Sequence, residues 1–157
     1  MPVQPVPDGY HTVTPYLVVS DAAAVLDFMK KAFDARPLHV MKGPGGDIGH
    51  ADVVIGTSHV MLGQAREAVS AMPAMLYLYV PDCDAAYQQA LAAGGTSITE
   101  PKTQFYGDRH GAVKDTCGNQ WWIATHVEDV ARRTGTPRES RAARLTARLD
   151  CAIIQPP

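Results

Sequence analysis

The chain has 157 residues, of which 46% are hydrophobic and 19% are charged, and it has a formal net charge of −2. This composition is typical of one folded domain and excludes a disordered chain, and no apolar run approaches the roughly 20 residues of a membrane-spanning helix. The first residues lack a signal-peptide pattern and the three cysteines lack a C-x-x-C spacing, which predicts a cytoplasmic protein without membrane contact, disulfide framework or thiolate zinc site.

A repeat with an offset of 61 residues begins at the first predicted strand. The sequence YLVVSD at 16–21 recurs as YLYVPD at 77–82. Each copy predicts a strand, then an acidic N-cap, and then a helix, which spans about 22–33 in the first copy and about 84–93 in the second.

The same offset relates two later segments. A turn followed by a strand occurs at 55–62 and again at 116–123. We therefore interpret the chain as a duplication and predict one domain over 1–130, built from two modules at 11–65 and 74–127.

The strand residues separate into two sets because successive side chains point to opposite faces of a sheet. The first set is almost wholly aliphatic: Leu17, Val19, Val60, Leu62, Leu78, Val80, Trp121 and Ile123. The second set is aromatic, sulfur-bearing or polar: Thr14, Tyr16, Val18, His59, Met61, Met75, Tyr77, Tyr79, Gln120 and Trp122. We expect the first set to pack under the helices and call the second set, which His50 and Asp52 join, the cup face.

The cup face has two interpretations. Aromatic and thioether side chains beside histidines and Gln120 would form an adaptable pocket for a small, planar, partly aromatic molecule. Alternatively, these side chains form a second core layer.

Two stretches of the second half carry a family resemblance: FYGDRHG at 105–111 and DTCGNQWWIATHVED at 115–129. Together with Pro15-Tyr16-Leu17 and Gly49-His50-Ala51, they resemble the vicinal oxygen chelate superfamily of glyoxalase I, bleomycin-resistance proteins and extradiol dioxygenases, and especially its phosphonate-operon-associated glyoxalase-like branch. The resemblance covers about 10–130. It implies an α+β fold in which two βαβββ modules form an open, cup-like barrel with helices outside, and a homodimer with cups built within or between chains.

The family's metalloenzymes hold their metal with His or Glu on the first and last strand of each module. The matching positions here are Thr14, Met61, Met75 and Trp122, none of which suits a hard or borderline divalent ion. We therefore predict no metal and no cofactor at this site, and the superfamily's usual chemistry loses its Lewis acid.

Three further residues are candidates for chemistry or binding. His50 is the candidate general base, although a structural, hydrogen-bonded histidine is the alternative. His59 follows a turn and is expected at the rim. Arg109 would clamp an anionic ligand through its planar fork or pair internally with Asp108 or Asp115.

The basic tail over 131–157 lies outside the resemblance. Residues 131–149 carry a net charge of +5 and the rest of the chain −7, so the acidic body argues against a nucleic-acid partner. A capping pattern and an apolar stripe predict an Arg-rich helix over about 137–150 that docks on the body of its own chain or of a dimer partner.

Three functions follow from these observations. The first is a glyoxalase/bleomycin-resistance-like protein that binds a small molecule without the usual metal, either to sequester it or for metal-free lyase or isomerase chemistry. The second is a metal-dependent lyase, isomerase or dioxygenase with a divalent metal relocated near His50 and His59. The third is a non-catalytic structural or interaction protein whose cup is filled by its own side chains, which leaves the Arg-rich tail as the functional part.

Overall fold

The computed structural model describes residues 3–130, which form an α+β fold of two βαβββ modules. The first module comprises β1 (Tyr16–Val19), α1 (Ala22–Phe33), β2 (Arg36–Lys42), β3 (Ile48–Ile55) and β4 (Ser58–Gln64). The second comprises β5 (Met75–Tyr79), α2 (Cys83–Ala92), β6 (Thr96–Thr103), β7 (Asp108–Lys114) and β8 (Gln120–His126). The predicted fold class is confirmed, and the predicted helices agree with the observed ones to within one residue at each end.

Each module forms one four-stranded mixed sheet, ordered β1-β4-β3-β2 in the first and β5-β8-β7-β6 in the second. The first strand of each module runs parallel to the last, while the other neighbours are antiparallel. The sheets do not close into a barrel, so β1 and β5 are each paired on one side among the described residues.

Both helices begin at the predicted aspartates. The carboxylate of Asp21 accepts a hydrogen bond from the backbone N–H of Ala24, and Asp82 accepts one from Ala85. These bonds satisfy N–H groups that have no partner within the helix. After α2, Gly94 has a φ of +99°, which a glycine adopts without strain.

One core joins the two modules. Leu17 and Leu62 of the first sheet and Trp121 and Ile123 of the second are fully buried in it. The ring of Phe33 on α1 lies 5.0 Å from that of Trp121, and α1 also packs against α2. The predicted alternation of faces is therefore confirmed: the aliphatic sides of both sheets share the core, and the cup faces lie on the outer sides.

The turn between β7 and β8 explains much of the long sequence motif. The buried carboxylate of Asp115 accepts hydrogen bonds from the backbone N–H groups of Cys117 and Asn119, from the Asn119 amide and from the Trp121 indole. The Asn119 side chain in turn accepts a hydrogen bond from the backbone of Ala74. These residues hold the turn, the indole and the start of β5 in place.

The predicted tail helix over 137–150 lies outside the described residues. Within residues 3–130, neither helix is long and apolar enough to cross a membrane.

Candidate functional site

The cup face presents large apolar side chains to solvent. Tyr16 is 48% exposed, Met75 62% and Tyr79 66%. Strand pairing places Tyr16 beside Met61 in the first sheet, and Tyr77 beside Trp122 in the second. Within residues 3–130 this face is not a filled core layer, because those rings and thioethers remain open to a ligand or to another chain.

A groove of about 1110 Å³ runs between the two modules. Six of the eleven predicted ligand-binding residues line it: Thr14, Tyr16, His59, Met75, Tyr77 and Tyr79. Met61, Gln120 and Trp122 lie on the same faces but on β4 and β8, one strand in from the groove.

His50 lies on β3 beside Tyr16. Its Nδ1 atom is 3.3 Å from the Tyr16 hydroxyl, and the two rings are stacked with their centres 5.6 Å apart. The Tyr16 hydroxyl can take this position because residue 63 is a glycine: a Cβ atom on Gly63 would lie only 2.7 Å from the hydroxyl oxygen. His50 is therefore held in a defined orientation on the cup face.

His59 does not lie at the rim, which corrects the sequence-based expectation. Its side chain is largely buried, with Nδ1 3.0 and 3.1 Å from the two carboxylate oxygens of Asp52. Tyr10 donates a hydrogen bond to the same carboxylate and stacks on His59 with ring centres 3.9 Å apart. Bonding to Asp52 raises the pKa of the Tyr10 hydroxyl. Tyr10 precedes the first strand, and nothing in the sequence pattern indicated its role.

A second carboxylate cluster lies on the other module. Asp108 accepts hydrogen bonds from the Tyr79 hydroxyl at 2.8 Å and the Tyr77 hydroxyl at 3.4 Å, and it bonds Nδ1 of His126 at 2.8 Å. The bond to His126 is the main reason that the pKa of Asp108 is lowered. The pKa of His126 is raised, chiefly by Asp108 and then by Asp129.

His110 is a cup-face histidine that the sequence reasoning missed. It is only 8% exposed, and burial lowers the pKa of its imidazole. Three aromatic rings surround it, with centres 6.1 Å (Tyr77), 6.3 Å (Tyr106) and 5.3 Å (Trp122) away.

Arg109 forms an internal ion pair and is not available to bind a ligand through its guanidinium fork. Its guanidinium donates two hydrogen bonds of 2.6 Å to the carboxylate of Asp84 on α2. The partners expected from the sequence, Asp108 and Asp115, instead bind His126 and the β7–β8 turn. Pairing with Arg109 lowers the pKa of Asp84.

The residues at the family's metal positions do not fit a divalent ion. Thr14, Met61, Met75 and Trp122 supply no imidazole or carboxylate. Among residues 3–130, no group of three His, Cys, Asp or Glu side chains has the arrangement of a metal site. No step that depends on a metal can be derived from these positions.

Comparisons with known proteins agree with this architecture. The family model of the Glyoxalase/Bleomycin resistance protein/Dioxygenase superfamily matches residues 10–123. Uncharacterized proteins of Mycobacterium bovis and Mycobacterium tuberculosis are 37% identical over 129 residues, which is 75% of this chain and 85% and 76% of theirs.

Solved structures show the same fold. The crystal structure of TioX from Micromonospora sp. ML1 has a TM-score of 0.64 at 24% identity and covers 74% of this chain and 99% of that one. A glyoxalase-related enzyme from Fulvimarina pelagi has a TM-score of 0.60 at 17% identity, covering 73% of this chain and 87% of that one.

Proposed function

We propose that this chain, which belongs to the Glyoxalase/Bleomycin resistance protein/Dioxygenase superfamily, binds a small, partly aromatic molecule on its cup face without the usual metal. The observation that carries this proposal is the row of exposed aromatic and thioether side chains, notably Tyr16, Met75 and Tyr79, beside a large groove. Such side chains favour flat apolar ligands and adapt to their shape.

The hydrogen-bonded polar groups of the cup face add selectivity. His50, His59 and the tyrosine hydroxyls are already oriented by hydrogen bonds, so a bound ligand meets fixed donors and acceptors. Membership of the phosphonate-operon-associated branch stays a prediction from the sequence motifs. The location in a reducing cytoplasm stays a proposal, supported by three cysteines whose spacing is not that of a disulfide framework.

Tryptophan fluorescence tests this proposal. Trp122 lies on the cup face, whereas Trp121 is buried in the core. Titration with a panel of planar aromatic compounds should quench the Trp122 emission saturably. In Trp122→Phe the remaining emission from Trp121 should not respond. Equal quenching in the variant, or no saturable quenching by any compound, would refute binding on this face.

The Asp52–His59 pair supports a second candidate, metal-free proton transfer. A carboxylate on Nδ1 orients the imidazole in the way a general base requires. A compound identified in the quenching titration can be incubated with the protein in heavy water and examined by mass spectrometry. After back-exchange of hydroxyl and amine hydrogens in ordinary water, a pure binding protein returns the compound without carbon-bound deuterium. Incorporation that is lost in His59→Gln would support proton abstraction from carbon by His59, and an isomeric product in the same sample would make the chain an isomerase.

A further inference from the structure

The Nδ1 atom of His110 is buried and has no hydrogen-bond partner among the described residues. Buried polar atoms are nearly always paired, because an unpaired one loses its bond to water and gains nothing in return. An orphaned nitrogen on a ligand-binding face therefore needs an explanation.

Comparison with the first module shows which partner His110 lacks. His110 corresponds to His50 by strand pairing: His50 pairs with Met41 on β2, His110 pairs with Lys102 on β6, and Met41 and Lys102 are related by the repeat offset of 61. In the first module, the Tyr16 hydroxyl lies 3.3 Å from Nδ1 of His50. A corresponding bond from the second module's tyrosine to His110 is absent.

The cause is a carboxylate that only the second module has at this position. Tyr77 corresponds to Tyr16, but its hydroxyl points to Asp108 at 3.4 Å. The position that corresponds to Asp108 in the first module is Ile48, which offers no acceptor. The Tyr77 hydroxyl therefore bonds Asp108 and not His110, whereas the corresponding Tyr16 hydroxyl lies beside His50.

The surroundings of His110 define what would replace that partner. Two of its aromatic neighbours, Tyr77 and Trp122, lie on strands, whereas Tyr106 lies on the turn between β6 and β7. The adjacent Phe105 is 87% exposed, so this part of the turn is not packed into the core. The ring of Tyr106 is nearly parallel to the imidazole, at 17°. A ligand that displaced Tyr106 would gain access to His110, and its hydroxyl would approach Nδ1 in the plane of the imidazole, where the nitrogen lone pair lies.

We infer that the second half of the cup face is a subsite for a neutral planar aromatic compound with a hydroxyl group, which donates a hydrogen bond to Nδ1 of His110. This inference rests on the proposed function and names the ligand class for that face.

Charge selects a neutral hydroxyl over an acid. Burial lowers the pKa of the His110 imidazole and so favours its uncharged form, which does not attract an anion. In the tautomer that carries the proton on Nε2, the Nδ1 atom accepts a hydrogen bond. The carboxylate of Asp108, two residues away on β7, repels a ligand carboxylate. A ligand without the hydroxyl leaves Nδ1 unpaired, which a site built around a hydrogen bond discriminates against.

A matched ligand series tests this subsite: 2-naphthol, 2-methoxynaphthalene and 2-naphthoate, titrated at pH 7 into the whole chain. The wild type should bind 2-naphthol about 5- to 10-fold more tightly than the methyl ether, as one net hydrogen bond implies, and 2-naphthoate more weakly than 2-naphthol. His110→Phe should remove the preference for the hydroxyl, whereas His110→Gln, which retains an acceptor, should keep part of it.

Thermal unfolding provides the readout that a structural histidine would not give. Because Nδ1 is unpaired, His110→Phe should melt no lower than the wild type. A clear loss of stability, or a hydroxyl preference that survives in His110→Phe, would overturn the subsite. Equal affinity of the wild type for 2-naphthol and its methyl ether, or tighter binding of 2-naphthoate, would also overturn it and leave the proposed function intact. No binding of any of the three would overturn the subsite, whereas the proposed function is refuted only when no compound of the wider aromatic panel quenches saturably.

Discussion

At the scale of single residues, two carboxylates organise the cup face, one in each module. Asp52 joins Tyr10 to His59, and Asp108 joins Tyr79 to His126. These contacts connect residues 7 to 42 positions apart, and no periodic sequence pattern indicates them. His59 was expected at the rim because nothing in the sequence indicated that Tyr10, which precedes the first strand, stacks on its ring.

His126 makes the stability of the fold depend on pH. Its pKa is raised above the ordinary value of about 6.5, because Asp108 and Asp129 stabilise the protonated ring. A raised folded-state pKa adds stability that is complete below the unfolded-state pKa and is lost as the pH rises through the folded-state value. Between pH 6 and 8.5, the melting temperature of the wild type should therefore fall more steeply than that of His126→Asn.

The control for this prediction is His39→Asn on the edge strand β2, where the histidine is exposed and has no carboxylate partner within residues 3–130. The control should retain the wild-type slope. Parallel pH profiles for His126→Asn and the wild type would show that the His126 pairs add no stability.

At the scale of elements, the phase of β8 places two adjacent tryptophans in opposite environments. Trp121 is fully buried against Phe33 and bonded to Asp115, while Trp122 is partly exposed on the cup face. Removing the buried ring leaves a cavity and takes away one of the four hydrogen bonds to the buried Asp115 carboxylate. Trp121→Ala should therefore cost about 3–5 kcal/mol of unfolding free energy.

Trp122→Ala should cost less than about 1.5 kcal/mol, since its ring borders solvent. Urea denaturation of the two variants measures both values. Similar losses for both, or a larger loss for Trp122→Ala, would contradict the assignment of faces.

The sequence was sufficient to predict the modules, both helices and the faces of the strands, because these follow from local periodicity and a constant repeat. It did not reveal His110, because the offset is not constant. In the β3–β4 hairpin the paired residues Val54 and His59 are five positions apart, but in the corresponding β7–β8 hairpin Lys114 and Gln120 are six positions apart. The extra residue shifts β7 by one position relative to β3, so an offset of 61 does not align His50 with His110.

At the scale of the whole molecule, the helices hold the two modules together and the cup faces are left uncovered within residues 3–130. An exposed surface of tyrosine and methionine on a folded chain favours contact with another protein surface as well as with a ligand. We therefore predict a homodimer in which a second copy completes each cup.

Sedimentation equilibrium tests this assembly. The wild type should sediment at twice the monomer mass, and Met75→Glu should shift it toward monomer, because the charge would be buried in the interface. Gln88→Glu, on the exposed side of α2, is the matched control and should remain dimeric. A monomeric wild type at 100 µM, or no effect of Met75→Glu, would refute a dimer built on this face.

Metal dependence of ligand binding tests the central claim most directly. The affinity for a quenching compound can be measured before and after dialysis against a chelator, with the divalent metal content of the same samples determined by mass spectrometry. We expect far less than one ion per chain before dialysis and an unchanged dissociation constant after it. About one ion per chain, together with loss of binding when it is removed, would contradict a cup that binds its ligand without a metal.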